Sequence, residues 1–472
     1  MKTLEALKST FKDKKVTLMG LGLLGRGIGD AKFFAKCGAE LTVTDLKSKK
    51  ELSESVNKLK GYDNISFVLG KHTMEDFINA DIIIKGNNVP LGNKYIKAAQ
   101  DSGVRVTMSV ALFTKYAQEL GVTVVGVTGT RGKTTVTNMI YQALQQSRQE
   151  PPREYSLGGS WRDCNVYLGG NIRGMSTLSL ASKIKKGDIV VLELDSWILQ
   201  GFGYEKLSPH IAVFTNFYPD HLNYYKSMDE YFADKANIFK YQKLKNGDTL
   251  IVGDSAQERV VAYKSPVEPL DIVPIPQEWE LKVPGVHNRE NAALAREALQ
   301  ALGLTDVDIR ESLEQFSGVE GRLEYMGEFT KDNKKIKIYN DNNATTPEAA
   351  IAGINALASR QGTPGDNENH IILIAGGTDK GTELKEVAKI IEEKCKAVHL
   401  LEGSGTDKLI PLLKNPKVHK RFADTVQAAL AAARAGDTIL FSPIFSSFGK
   451  EFVNEYDRND KFKKIIKEYY DN

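Results

Sequence analysis

Several function classes lose their footing on what this sequence lacks. Cysteine is scarce: Cys37, Cys164 and Cys395 are the three in 472 residues. No two of them form a C-x-x-C pair. That excludes a disulfide scaffold, a zinc ribbon and a dithiol redox centre, and it fits reduced packing thiols in a cytosolic protein. No stretch approaches the ~20 consecutive apolar residues that a membrane span requires, and the opening MKTLEALKSTFKDKK has no apolar core of the kind a signal peptide carries. Charge of one sign is also scarce. A net charge of +3 in a chain with 63 basic and 60 acidic residues implies neither nucleic acid nor an acidic membrane as partner. Tandem repeats and low-complexity stretches are absent. What remains is an ordinary composition, 41% hydrophobic and 26% charged, with length for roughly three domains of ~150 residues.

The most informative stretch is Val122 to Asn138, VTVVGVTGTRGKTTVTN. A β-branched run gives way to Gly129, Thr130, Arg131, Gly132 and Lys133, and a helical pattern then runs from Thr134 to about Leu144. A buried strand, a glycine turn and a helix start gather backbone N–H groups, the positive end of a helix dipole and the Lys133 ammonium around one point. That is a phosphate cradle, with the Thr134 hydroxyl placed for Mg²⁺ and Thr135 beside it. The match to G-x-x-x-x-G-K-[ST] is imperfect, because Val127 holds the first glycine position. The bland alternative is a glycine-rich turn that holds nothing.

Nearer the start, Val16 to Met19 read as a strand, followed by Gly20-Leu-Gly22-Leu-Leu-Gly25 and a helix to Cys37. A second strand, Leu41 to Thr44, ends at Asp45. This is a Rossmann-type fingerprint with an acidic residue for a ribose, although glycines needed only for helix–sheet packing would look the same. Ala80 to Lys85 and Val104 to Met108 add parallel strands, and this part should end near Tyr116 to Leu120.

Beyond the phosphate loop, Gln145 to Cys164 read as an exposed excursion and Gly169 to Ile172 as a turn. The strand Asp188 to Leu194 carries one internal charge, Glu193, which needs a cation such as Mg²⁺. Ile211 to Asn216 is a strand followed by Tyr218-Pro-Asp-His221, and strand ends are where α/β sites gather. The helix Asp229 to Lys240 contains Lys235, which by sequence physics alone is a solvated lysine. Gly285 to Asn291 opens a helix whose Asn288 and Asn291 amides could read a base edge. From about Gly321-Arg322, further strands at Ile336–Tyr339, Ile371–Ala375, Ala397–Leu401 and Thr438–Phe441 alternate with helices in a further α/β sheet. Its loops hold Asp341, Gly376 to Gly381 and Ser442 to Ser447.

Taken together and in order, these stretches resemble the Mur ligases, the ATP-dependent amide-forming enzymes of bacterial cell-wall synthesis. TGTRGKTT resembles the family's phosphate loop, LELDSW its Mg²⁺-binding strand end, and NFYPDHL its histidine loop. YFADKANIF resembles the helix with a carbamylated lysine, and GVHNREN the adenine-side motif. The resemblance implies three α/β domains: a Rossmann-like one at 1–118, a central P-loop-type ATPase domain with a parallel sheet at 119–320, and a Rossmann-like C-terminal one at 321–472. It implies ATP, two Mg²⁺ sites and a cytoplasmic monomer acting on small molecules.

The GGNI, SPIFSSF and GGTDKG segments resemble the members that join D-glutamate to a UDP-sugar-linked L-alanine through an acyl phosphate. In that reading Gly129, Thr130, Gly132, Lys133, Thr134 and Thr135 hold the triphosphate, and Asn288, Arg322 and Asp341 contact the rest of the nucleotide. Thr134 and Glu193 hold one Mg²⁺, and His221 with a carbamate on Lys235 the other. Leu23, Leu24 and Asp45 serve the uridine end, Asn171 the muramyl-linked acceptor, and Lys380 with Ser447 the amino acid. Arg131, Asp195, Gly321, Asn343 and Gly86-Asn87-Asn88 depart from the family's usual residues. A ligase with another acceptor or amino acid is the alternative within the family. A nicotinamide oxidoreductase would lack a catalytic acid and leave the phosphate loop unexplained. A P-loop switch would hydrolyse ATP without either substrate.

Overall fold

The computed structural model describes residues 4–87, 89–90, 92–149, 164–221, 224–331, 334–358, 369–379, 381–446 and 451–471. It contains three sheets. The first has five parallel strands, β1 Lys15–Met19, β2 Glu40–Asp45, β3 Ile65–Leu69, β4 Ile82–Lys85 and β5 Arg105–Thr107, in the order β3-β2-β1-β4-β5. Strands buried on both faces read as continuous apolar runs, which is why VTLM and III were legible. The order reverses between β1 and β4, so the crevice at the strands' C-terminal edge opens there, beside the Gly20–Gly25 turn.

The second sheet comprises β6 Thr123–Thr128, β7 Val166–Gly170, β8 Ile189–Glu193, β9 Ile211–Phe214, β10 Thr249–Val252 and β11 Pro269–Leu270. Its order is β11-β10-β9-β6-β8-β7, again all parallel. The phosphate loop leaves the centre of this sheet, flanked by the ends of β8 and β9. These two sheets share one core. Val110, Phe113 and Ala117 on the helix Ser109–Leu120 cluster with Leu178 and with Ile198, Leu199 and Phe202 on the helix Ser196–Glu205. Residues 1–275 and 291–312 accordingly form one compact unit, with Tyr116 and Ala117 in its packed core and Leu120 packed against it.

The second unit takes residues 276–290 and 313–472. Its sheet is β12 Glu324–Lys331, β13 Lys334–Asn340, β14 Ile371–Gly376, β15 Cys395–Leu401, β16 Lys417–His419 and β17 Thr438–Phe441, in the order β12-β13-β17-β14-β15-β16. The β12–β13 pair is antiparallel and the rest parallel. Gly321 is tied to this sheet, its amide donating to Glu324 and its carbonyl accepting from Asn343. Among the described residues, no helix is long and apolar enough to cross a membrane.

Candidate active site

The loop after β6 is shaped by positions that admit no side chain. Gly129 has φ 144°, and a Cβ there would lie 1.9 Å from the Thr215 hydroxyl; at Gly132, φ 79°, it would lie 2.4 Å from the Asn291 side-chain oxygen. The loop is then braced from β9. Thr130 and Arg131 donate their amides to the Asn216 backbone and side-chain oxygens at 2.9 and 2.8 Å, and Thr215 donates its hydroxyl to the Arg131 carbonyl at 2.5 Å. The Thr130 hydroxyl accepts from the Tyr218 amide at 3.0 Å. Thr130, expected at the phosphates, is thus a brace for the loop. The opening turn of the helix Lys133–Gln149 leaves N–H groups without an intrahelical acceptor. Thr134 and Thr135 lie on that turn.

Two lysines converge on one carbonyl. Lys133 Nζ donates to the Gly129 oxygen at 3.1 Å and to the Thr130 oxygen at 3.0 Å, and Lys235 Nζ donates to the same Gly129 oxygen at 2.6 Å. Lys235 is 1% exposed, against the solvated lysine expected from its helix alone. The helix Met228–Ala236 is capped by Ser227, and its inward face carries Tyr231, Phe232, Lys235 and Ala236. Lys235 therefore falls on the buried stripe. Burial, and next the Lys133 charge, hold its ammonium well below the ordinary lysine range, and the Tyr231 ring lies 4.8 Å from Nζ.

Glu193 ends β8 directly beside Val127 of β6 and is buried. Its Oε1 accepts from the Asn171 side chain at 3.3 Å, and Asn171 Oδ1 accepts from Arg26 at 3.0 Å. His221 has φ 53° and packs on the rings of Trp197 and Tyr231, with centroids at 4.9 and 5.8 Å. Burial lowers its pKa, Asp220 opposes that shift, and Lys235 and Lys133 add to it. The imidazole is held towards its neutral, metal-ligating form. Asp195 caps the helix Ser196–Glu205 by accepting from the Ile198 amide at 2.7 Å. Among the described residues, no three His, Cys, Asp or Glu groups form a metal cluster.

At the first sheet, Leu23 and Leu24 are exposed. The Asp45 carboxylate is occupied by its own chain, accepting from the amides of Leu21, Gly22 and Lys47 at 2.9, 3.1 and 2.9 Å. It organises the glycine turn itself, where the sequence suggested a ribose contact. In the second unit, Asn288 donates to the Pro284 carbonyl at 2.7 Å and Arg322 is exposed. Asp341 accepts from the Leu323 amide at 2.9 Å and from Ser442 at 3.3 Å, and burial pushes its pKa up to about 7. Lys380 and Ser447 lie outside the described residues.

Two family models match the chain: the Mur ligase middle domain over residues 127–278 and the Mur ligase glutamate ligase domain over residues 321–445. Proteins named UDP-N-acetylmuramoylalanine–D-glutamate ligase match it over nearly its full length. The one from Borreliella afzelii is 33% identical, covering 96% of this chain and 98% of its own. The one from Roseiflexus is 32% identical, covering 97% and 99%. The chain belongs to the Mur ligase family. Solved members share the fold: MurC from Thermotoga maritima has a TM-score of 0.56 at 19% identity, covering 97% of this chain and 100% of its own. MurF from the same organism, solved with ADP, has a TM-score of 0.56 at 15% identity, covering 100% and 99%. Within this Mur ligase, sequence reasoning missed the contacts that Arg26, Trp197, Asn216 and Tyr231 make, and the burial of Lys85. Only Lys85 left a signal, a charge closing an otherwise apolar strand.

Proposed function

We propose that this Mur ligase uses ATP to join D-glutamate to UDP-N-acetylmuramoyl-L-alanine in peptidoglycan precursor synthesis. The observation that carries the ATP-driven chemistry is the pair Lys133 and Lys235 on the Gly129 carbonyl, beside the Glu193 strand end. The glutamate assignment draws on the names of the full-length relatives, and on Lys380 and Ser447 by sequence.

A terminal carboxylate oxygen of the acceptor attacks the γ-phosphorus of ATP, the bond to the ADP oxygen breaks, and an acyl phosphate forms. The amine nitrogen of glutamate then attacks the acyl carbon, the carbon–oxygen bond to phosphate breaks, and the amine proton leaves. The residues of this chain supply charge and position. Lys133 and the opening turn of its helix hold the triphosphate, Asn171 orients the acceptor, and Asn288, Arg322 and Asp341 serve the nucleotide's other end. The donor set fits two Mg²⁺ ions. Glu193 is a buried carboxylate that accepts from the Asn171 amide, and burial draws His221 towards its neutral form and Lys235 towards the free amine. That amine nitrogen can attack the carbon of CO₂ and release a proton, turning a cationic group into an anionic oxygen donor. Thr134 with Glu193, and His221 with carbamylated Lys235, would be the two sets of ligands. When bound, Mg²⁺ neutralises charge on the phosphoryl oxygens.

A ligase of the same family with another acceptor or amino acid is the second reading, favoured by Asn343 and by the Gly86-Asn87-Asn88 departure at the acceptor edge. Phosphate release tests the reaction class. We expect release only with ATP, UDP-N-acetylmuramoyl-L-alanine and amino acid together; equal hydrolysis of ATP with neither substrate present would indicate a switch.

A further inference from the structure

Lys85 is a lysine buried to 3% exposure that the chemistry above does not use. It ends β4, level with Met19 of β1, at the crevice where the first sheet's strand order reverses. Its Nζ donates to Gln200 Oε1 at 2.8 Å. That bond fixes the orientation of the Gln200 amide, so Nε2 donates to Asp234 Oδ2 at 2.8 Å and lies 3.3 Å from the Tyr224 hydroxyl. Tyr224 donates in turn to the Val89 carbonyl at 2.8 Å, closing a ring on the segment that follows Lys85. Asp234 immediately precedes Lys235, whose Nζ rests on the Gly129 carbonyl.

A buried ammonium is retained only where its field is answered. Burial pulls Lys85 down to about 8, while Asp234 and then Asp195 pull it back. Gln200 alone carries no charge to answer it; Asp234, one bond further on, does.

We propose that Lys85 is a positioning residue for the catalytic centre. Acting through Gln200 and Asp234, it sets the helix Met228–Ala236 so that Lys235 presents its nitrogen at the phosphate loop, and it ties that placement to the acceptor edge of the first sheet. The proposal rests on the reading of Lys235 as a carbamylated ligand. Residues behind metal ligands commonly change activity by roughly 10–100-fold when replaced, and that range is expected here.

The test uses the full chain and the variants Lys85→Met, Asp234→Asn and their double. Carbamate is read by ¹³C NMR in ¹³C-labelled bicarbonate, with Lys235→Ala as the blank, and turnover is measured against bicarbonate concentration. Each single variant should lose roughly 10–100-fold in kcat at ambient CO₂, keep the KM for ATP, show a weakened carbamate resonance, and regain turnover as bicarbonate is raised. The double variant should lose less than the product of the singles. A full carbamate signal with wild-type kcat in both single variants overturns the positioning role and leaves the Lys235 assignment intact. A wild-type enzyme without any carbamate signal overturns the Lys235 reading, and this one with it. Should Lys85→Met fail to fold, Asp234→Asn decides, because it keeps the shape and an oxygen for Gln200 while removing the charge.

Discussion

Lys133→Ala is expected to lose ~10²–10³ of the ligation rate, the usual cost of removing one preorganised charge where charge develops in a transition state. The fold should survive. Lys133 is half-buried at the first position of its helix and bonds to the carbonyls of Gly129 and Thr130 in the loop, and the core residues Val136 and Ile140 further along the helix are untouched. Circular dichroism and thermal unfolding of the variant should match the parent. Retention of more than about a tenth of the activity would contradict the phosphate-loop assignment. A second consequence is measurable in the same protein. With the neighbouring charge gone, one of the influences holding the Lys235 ammonium low is removed, so the Lys235 amine should become more basic.

Lys235→Ala is expected to abolish turnover, and formate or acetate should restore part of it. The logic is chemical: the side chain is needed as an oxygen donor carrying negative charge, and a small carboxylate can occupy the space that truncation leaves. A lysine serving only as a buried cation would respond to neither anion. Truncating Lys235 also vacates a site with 1% exposure, so a stability loss is expected alongside. The two effects are read separately: thermal unfolding without added anion reports the lost packing, and turnover with formate against turnover with a neutral molecule of similar size reports the missing oxygen donor. Full activity in the unrescued variant would return Lys235 to a structural role.

How much of this was legible beforehand depended on whether the deciding contact is local. The strand–turn–helix from Thr123 to about Leu144 was legible because β-branched residues, glycines and a helix start follow one another within a single stretch; the helix runs on to Gln149, where the sequence suggested the start of an exposed excursion. Glu193 was legible because a charge inside VVLEL is costly without a partner. Short strands were missed where few residues carry the pattern, as with β7, whose last two residues were read as the start of a turn, and β16, three residues at an edge. β12, the antiparallel partner of β13, was missed because an alternating, half-exposed pattern gives a weaker signal than a buried run. Lys235 looked solvated because DEYFADKA has charges on both sides, and only packing on the second sheet decides which face turns in. Asp45 illustrates the converse: an acid at the end of β2 reads identically whether its oxygens meet a ribose or the amides of its own turn. The Lys85–Gln200–Asp234 relay spans residues more than a hundred positions apart, and such links are invisible to spacing.

The central claim is the reaction itself, and the most direct measurement is product formation with UDP-N-acetylmuramoyl-L-alanine and ATP. D-glutamate, L-glutamate, D-aspartate and D-glutamine would be compared at equal concentration, with product detected by mass. A charge-assisted bond from Lys380 to a side-chain carboxylate is worth roughly 1.5–3 kcal/mol, enough to favour glutamate over glutamine by about tenfold or more. The account predicts D-glutamate first and D-glutamine well behind. Equal use of D-glutamine would remove Lys380 as the carboxylate receptor, a lead for L-glutamate would contradict the assigned handedness, and no product from any of the four would contradict the proposed function.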